Sequence, residues 1–211
     1  MKPAETTLYS LSDAAPGADA DRRDGERHLT LYRVGSIMVD SRRELCLIKN
    51  ISAGGMMIRL YCSIEPESAV TVELKSGQPI NGRVSWTRDQ NAGIAFDQPI
   101  DVIDILSSAM NGPRPRMPRI ETHCRATLRD GANLLSVRVC DISQGGVKIE
   151  CANILSRGSD VIVKLPGLDP QPGLARWFED GFVGVTFNRL LPLRDLVSWL
   201  HEQRGLERKA G

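Results

Sequence analysis

The chain has 211 residues, 41% of them hydrophobic and 25% charged, with a formal net charge of +1. That length suits two domains of about 100 residues, each large enough for its own core. The near-neutral balance excludes a global field drawing the chain to nucleic acid or a lipid surface, so any anion-binding chemistry is local.

No apolar run reaches the length needed to span a bilayer. Residues 1–20 lack the apolar stretch of a secretory signal, which points to the cytoplasm. The cysteines, Cys46, Cys62, Cys124, Cys140 and Cys151, are odd in number and include no Cys-x-x-Cys pair. Neither a disulfide framework nor a zinc site follows, and no metal or cofactor is expected. In apolar strand contexts such cysteines act as small hydrophobes.

Along the chain, residues 1–20 are polar, rich in Ala, Asp, Gly and Pro, and aperiodic, which reads as disorder. A first unit is expected over 21–110. It opens on Arg22-Arg23-Asp24-Gly25-Glu26-Arg27-His28, a mixed-charge run that alone reads as a solvated segment. Short strands follow near 33–39, 45–50, 56–60, 69–74, 80–86 and 92–96, with the period-two alternation of a half-buried strand clearest at Val70-Thr71-Val72-Glu73-Leu74. Val102, Ile105, Leu106 and Ala109 then fall at helical spacing.

Residues 111–118 form the linker: Gly112 ends the helix, and Pro113 and Pro115 prevent its continuation. A second unit is expected over 119–205, with strands near 125–128, 135–141, 147–151, 161–165, 173–177 and 183–187. Leu193, Leu196, Val197 and Leu200 give it a helical stripe, and residues 206–211 form a flexible tail. Each stripe either caps a barrel end or offers a partner surface, and capping is the simpler reading. Six short strands without intervening helices argue for an antiparallel barrel rather than βαβ units.

The two units are copies. Asn50-Ile51-Ser52-Ala53-Gly54-Gly55 returns 91 positions later as Asp141-Ile142-Ser143-Gln144-Gly145-Gly146. The offset holds without a gap from Asn50 to Phe96, with 15 identities in 47 positions, a density that chance does not supply. Among the matches are Gly82 with Gly173, Trp86 with Trp177, Gly93 with Gly184 and Phe96 with Phe187.

Position gives the arginine run its meaning. Arg23 and Arg27, spaced Arg-x-x-x-Arg before a small barrel, are followed by Asn50, Ser52 and Gly55 as Asn-x-Ser-x-x-Gly. This ordered set, with Gly-x-x-Phe at Gly93–Phe96 and Gly184–Phe187, resembles the PilZ family, small β-barrels that bind the bacterial second messenger cyclic di-GMP. The likeness covers nearly all of the folded chain. It implies an all-β protein with short C-terminal helices, made of two tandem six-stranded antiparallel barrels. It also implies a non-enzymatic receptor in which cyclic di-GMP binding at the first domain changes domain packing or the binding of a downstream protein effector.

The residue types fit such a ligand, which carries two phosphates and two guanines. A guanidinium is planar, always charged and forked, so it clamps phosphate or bonds guanine O6 and N7 in parallel. The candidate contacts are Arg22, Arg23, Arg27, Asn50, Ser52, Gly54 and Gly55. Asn and Ser supply donors and acceptors, and Gly permits close approach. Turn formation is the alternative role for Asn50, Ser52, Gly54 and Gly55.

The second copy departs from the pattern. It keeps Asp141, Ser143 and Gly146, but its arginine segment reads Arg114-Pro115-Arg116-Met117-Pro118-Arg119. The strict offset sets Pro118 opposite Arg27, and a one-residue gap sets Pro115 opposite Arg23, so neither alignment preserves the pair. Arg114, Arg116 and Arg119 with Asp141, Ser143 and Gly146 form either a weak second site or a structural, partner-binding copy. A basic linker without aromatic interleaving or a recognition helix argues against nucleic acid. An interaction adaptor that does not bind nucleotide is the competing function. Catalysis lacks a signal: His28, His123 and His201 lie in unrelated contexts, with no nucleophile–base spacing.

Overall fold

The computed structural model describes residues 30–74, 78–105, 117–153 and 155–210. Period-two alternation becomes a closed barrel in the first unit. Strands β1 (Thr30–Val39), β2 (Arg42–Ser52), β3 (Gly55–Arg59), β4 (Ala69–Glu73), β5 (Pro79–Arg88) and β6 (Asn91–Phe96) join in the order β1-β2-β3-β6-β5-β4. β4 returns to β1 through Ser36↔Glu73, Ile37↔Val72 and Met38↔Thr71. Every second side chain points inward, and Ile37, Ile48, Ile58, Val72 and Val84 fill the interior without exposure. Closure leaves no strand edge to template aggregation.

The second unit repeats this topology with β8 (Arg125–Asp130), β9 (Asn133–Ser143), β10 (Gly146–Glu150), β11 (Asp160–Lys164), β12 (Gln171–Glu179) and β13 (Phe182–Phe187). Their order is β10-β13-β12-β11-β8-β9, closed by pairing of β9 with β10.

One extra strand, β7 (Ile120–Glu121), pairs with β9 through Ile120↔Ile142 and Glu121↔Asp141. Together β7 and β8 occupy the place of β1, whose own ladder shifts between Thr30 and Arg33. In the second copy that irregularity becomes a full break at Thr122-His123-Cys124. The Thr122 amide still donates to the Cys140 carbonyl at 3.1 Å, and the Cys124 carbonyl accepts from Val139 at 2.9 Å. Two residues carry no readable alternation, which is why the sequence places the second barrel's first strand only at 125.

The helical stripes turn inward. Helix α1 (Leu193–Ala210) buries Leu196, Val197, Trp199 and Leu200 in the second barrel's core, and it continues through residues 206–210, expected as a flexible tail, where Leu, Glu, Arg, Lys and Ala are all good helix formers. Trp199 anchors it by donating its indole N–H to the Pro166 carbonyl at 2.7 Å. In the first unit a helical turn at 102–105 buries Val102 and Ile105 in the same manner, while Leu106 and Ala109 lie outside the described residues.

The barrels meet along a seam built on β2. Cys46 and Ile48 take the inside of that strand, so Leu45 points out of its own barrel. It is nevertheless only 3% exposed, because it belongs to the second barrel's core cluster, with Val34 and Tyr61 packed against it. β7 lies against β2. Arg204 of α1 crosses the seam, pairing with the Glu44 carboxylate and donating from Nη2 to the Arg43 carbonyl at 3.0 Å. Leu45→Ala is therefore expected to lower unfolding stability in urea by about 2–4 kcal/mol, the cost of a buried leucine. Leu134→Ala, at a leucine left 71% exposed, is expected to change it by less than about 0.5 kcal/mol.

Candidate functional site

Two strand irregularities aim the candidate residues. In β2 the buried positions run Cys46, Ile48, then Ile51: a spacing of two followed by three. The ladder with β3 shifts between Ile48 and Asn50, so Asn50 points outward where unbroken alternation would bury it. In β5 the same happens between Val84 and Trp86, and Trp86 emerges 44% exposed instead of entering the core. The two outward residues share one row across the sheet, Thr30↔Asn50↔Met57↔Gly93↔Trp86.

Asn50 and its turn are internally braced. The Oδ1 of Asn50 accepts the Met57 amide at 3.1 Å, which leaves its NH2 as the group available outward. The Ser52 hydroxyl donates to the Gly55 carbonyl at 3.1 Å and closes the turn. Gly55 lies so near β6 that a Cβ would stand 2.5 Å from the Ile94 carbonyl oxygen. A Cβ on Gly54, in contrast, would meet nothing within 4 Å. Backbone geometry thus accounts for the repetition of Ser52 and Gly55, and Gly54 marks open space above the turn. Arg22, Arg23, Arg27, Arg114 and Arg116 lie outside the described residues.

Trp86 is a feature of this face that the motif alone does not reveal. Its indole covers Gly93, where a Cβ would lie 2.1 Å from Nε1. Glycine lets the ring lie down on the strand, where the residue stays partly exposed. The signal in the sequence is the paired recurrence of Trp86 with Trp177 and Gly93 with Gly184 at the same offset.

A family model described as the PilZ domain matches residues 21–108 and again 113–199. The chain belongs to the PilZ family. No curated protein matches the sequence. Among solved structures, PlzA of Borreliella burgdorferi in complex with c-di-GMP is 11% identical, with 80% of this chain and 86% of that chain covered and a TM-score of 0.36. YcgR of Escherichia coli in complex with c-di-GMP is 14% identical over 85% of this chain and 89% of its own, TM-score 0.35. The inhibitor of motility MotI/DgrA of Bacillus subtilis is 13% identical over 85% and 100%, TM-score 0.34.

The second PilZ barrel builds the same row, Glu121↔Asp141↔Lys148↔Gly184↔Trp177, with the same shifts at Lys148/Ile149 and Ala175/Trp177. The Ser143 hydroxyl donates to the Gly146 carbonyl at 3.2 Å, and a Cβ on Gly146 would lie 2.2 Å from the Val185 carbonyl oxygen. The chemistry on the row differs. The Asp141 carboxylate is already ion-paired with Arg119. Lys148 replaces Met57, and its ammonium sits 4.2 Å from the centre of the Phe182 ring. Space above Gly145, open over Gly54, is occupied by Met117 and Leu190, 3.2 and 3.4 Å from where a Cβ would stand.

The cysteines of the first barrel stay protonated. Burial pushes Cys46 up to about 12, and burial aided by the Glu44 charge pushes Cys62 up to about 11, so neither offers a thiolate. Gly93→Ala is expected to force the Trp86 indole off the strand. The measurement is tryptophan fluorescence: a red-shifted maximum in the folded protein, with loss of about 1–3 kcal/mol in denaturant unfolding.

Proposed function

We propose that this PilZ protein is a non-enzymatic cyclic di-GMP receptor whose site is the outer face of the first barrel. The single observation that carries the reading is the row from Asn50 to Trp86, which presents an amide donor and a partly exposed aromatic ring on one surface. Three strand spacings separate them, about 14 Å along the sheet at 4.8 Å per strand, a span that a dinucleotide bridges. The arginine motif enters the same surface by covalent connection: Thr30 pairs with Asn50, and three residues of chain keep Arg27 within about 11 Å of Thr30.

The chemistry divides by residue type. The Asn50 NH2 donates to an acceptor on a base edge, and Trp86 stacks a purine. Arg22, Arg23 and Arg27 supply bidentate guanine or phosphate contacts. Stacking contributes roughly 1–3 kcal/mol per base, and a bidentate arginine–guanine pair roughly 1–3 kcal/mol. Micromolar affinity needs about 8 kcal/mol, so several of these act together.

The second barrel, by this reading, is the structural copy. Asp141 is spoken for by Arg119, and Met117 covers the turn where the first barrel is open. These contacts favour a partner-binding or scaffold role for that half over a second nucleotide site. β2 gives the receptor a route to its output, because Asn50 and Ser52 sit at one end and Glu44 and Leu45 hold the seam at the other. A ligand shifts domain packing only through contacts it makes in one arrangement and not the other.

Calorimetric titration of the full chain with cyclic di-GMP tests the reading. Saturable binding at micromolar concentration is expected, weakened about tenfold or more by Arg27→Ala and by Trp86→Ala, with quenching of Trp86 fluorescence. Arg119→Ala is expected to leave the affinity within about twofold. Absence of saturable binding at tens of micromolar on that scale sinks the receptor. Wild-type affinity in both variants removes this face as the site.

A further inference from the structure

Away from the outer face, a cleft brings cationic side chains of both domains together. It lies at the open mouth of the first barrel, with a volume of about 350 Å³, lined by Val39, Arg42, Glu44 and Cys62 and by His201, Arg204 and Gly205 of helix α1. The ladder fixes which residues face it. Ile37 and Val39 point into the barrel, and their cross-strand partners are Glu44 and Arg42, which therefore line the mouth.

The charges in this cleft do not balance. Glu44 is neutralised by Arg204, and the neighbouring Arg43 by Glu73 at 3.0 Å. Arg42 has no ion-pair partner among the described residues. Ser63 and His201 line the same opening. Cys62 stays a neutral thiol and does not repel an anion. The cleft thus holds one unpaired guanidinium, Arg42, beside the paired Arg204 and Glu44. A side chain at Gly205 has room to enter it: a Cβ there would meet nothing within 4 Å.

We propose that this mouth is a second ligand site, for a small phosphate-type anion gripped between Arg42 of the first barrel and His201 and Arg204 of α1. Forked guanidiniums match phosphate oxygens, and an anion here compensates the charge that Arg42 carries without a partner, while Arg204, paired with Glu44, offers its remaining N–H groups. The site is distinct from the nucleotide face. Arg42 and Asn50 are eight residues apart on β2, about 25 Å at the rise of an extended strand. Since its donors come from both domains, an anion here clamps the seam. The inference does not rest on the receptor reading.

The test uses the full chain without cyclic dinucleotide, at constant ionic strength. Inorganic pyrophosphate is titrated calorimetrically while the imidazole signals of the three histidines are followed by NMR. Saturable binding is expected, with movement confined to the His201 signal, identified by its loss in His201→Gln. Arg42→Gln and Gly205→Glu, which sets a carboxylate into the cleft, are expected to weaken binding at least tenfold. Arg157→Gln, exposed on the second barrel, is expected to leave it unchanged. Parallel titrations with inorganic phosphate and glycerol phosphate separate a free-anion site from one for a phosphorylated metabolite. Glutamate suits a helix better than glycine, so Gly205→Glu is expected to keep the wild-type unfolding midpoint or exceed it. That midpoint reports folding independently of either ligand. An unmoved His201 signal, or equal pyrophosphate affinity in wild type, Arg42→Gln and Gly205→Glu, overturns the site.

Discussion

The outer face depends on strand parity and on the places where parity is broken. A β-strand sends successive side chains to opposite sides, so a residue's face is fixed by its distance from any buried neighbour. Uninterrupted, β2 would bury Asn50 after Cys46 and Ile48, and β5 would bury Trp86 after Val84. One extra residue in each strand reverses that assignment. The same two shifts recur in the second barrel at Asp141 and Trp177. The bulges are therefore a design shared by both copies, and they convert two strands of core into an exposed polar and aromatic surface.

Once parity is set, the repeated glycines follow from contact distances. Gly55 and Gly146 are pressed against a neighbouring carbonyl, and Gly93 and Gly184 lie under an indole, so even a methyl group has no room. Ser52 and Ser143 tie the turn that the bulge precedes. These positions persist in both barrels because the fold demands them in both. Positions without such a demand were free to diverge. Where the first barrel has Asn50, the second has Asp141 with an internal arginine partner; Lys148 stands in place of Met57, and Met117 and Leu190 fill above Gly145 the space that is open above Gly54.

Duplication also solved a packing problem. Leu45 faces out of its own barrel and is buried in the core of the other, against which Val34 and Tyr61 of the first unit also pack. The seam makes the halves mechanically dependent, and Arg204 reaching from α1 to Glu44 adds a polar tie at its edge. The stripe on α1 serves its own barrel through Leu196, Trp199 and Leu200, while the end of the same helix reaches the neighbour. A period of 3.6 residues places side chains all around the helix, so one element does both.

The sequence by itself determined the duplication, the barrel class and the residues of the motif, because alternation, offset and spacing are one-dimensional properties. Even the bulge left a trace, in the step from Cys46-x-Ile48 to Ile51 and from Val137-x-Val139 to Ile142. Only the tertiary structure decided that Trp86 shares a face with Asn50, that Asp141 is engaged by Arg119, and that Leu45 belongs to the other domain's core. The physical reason is the same in each case. Those relations join residues brought together by ladder register and domain packing, and a linear pattern does not encode which distant strand a side chain will meet.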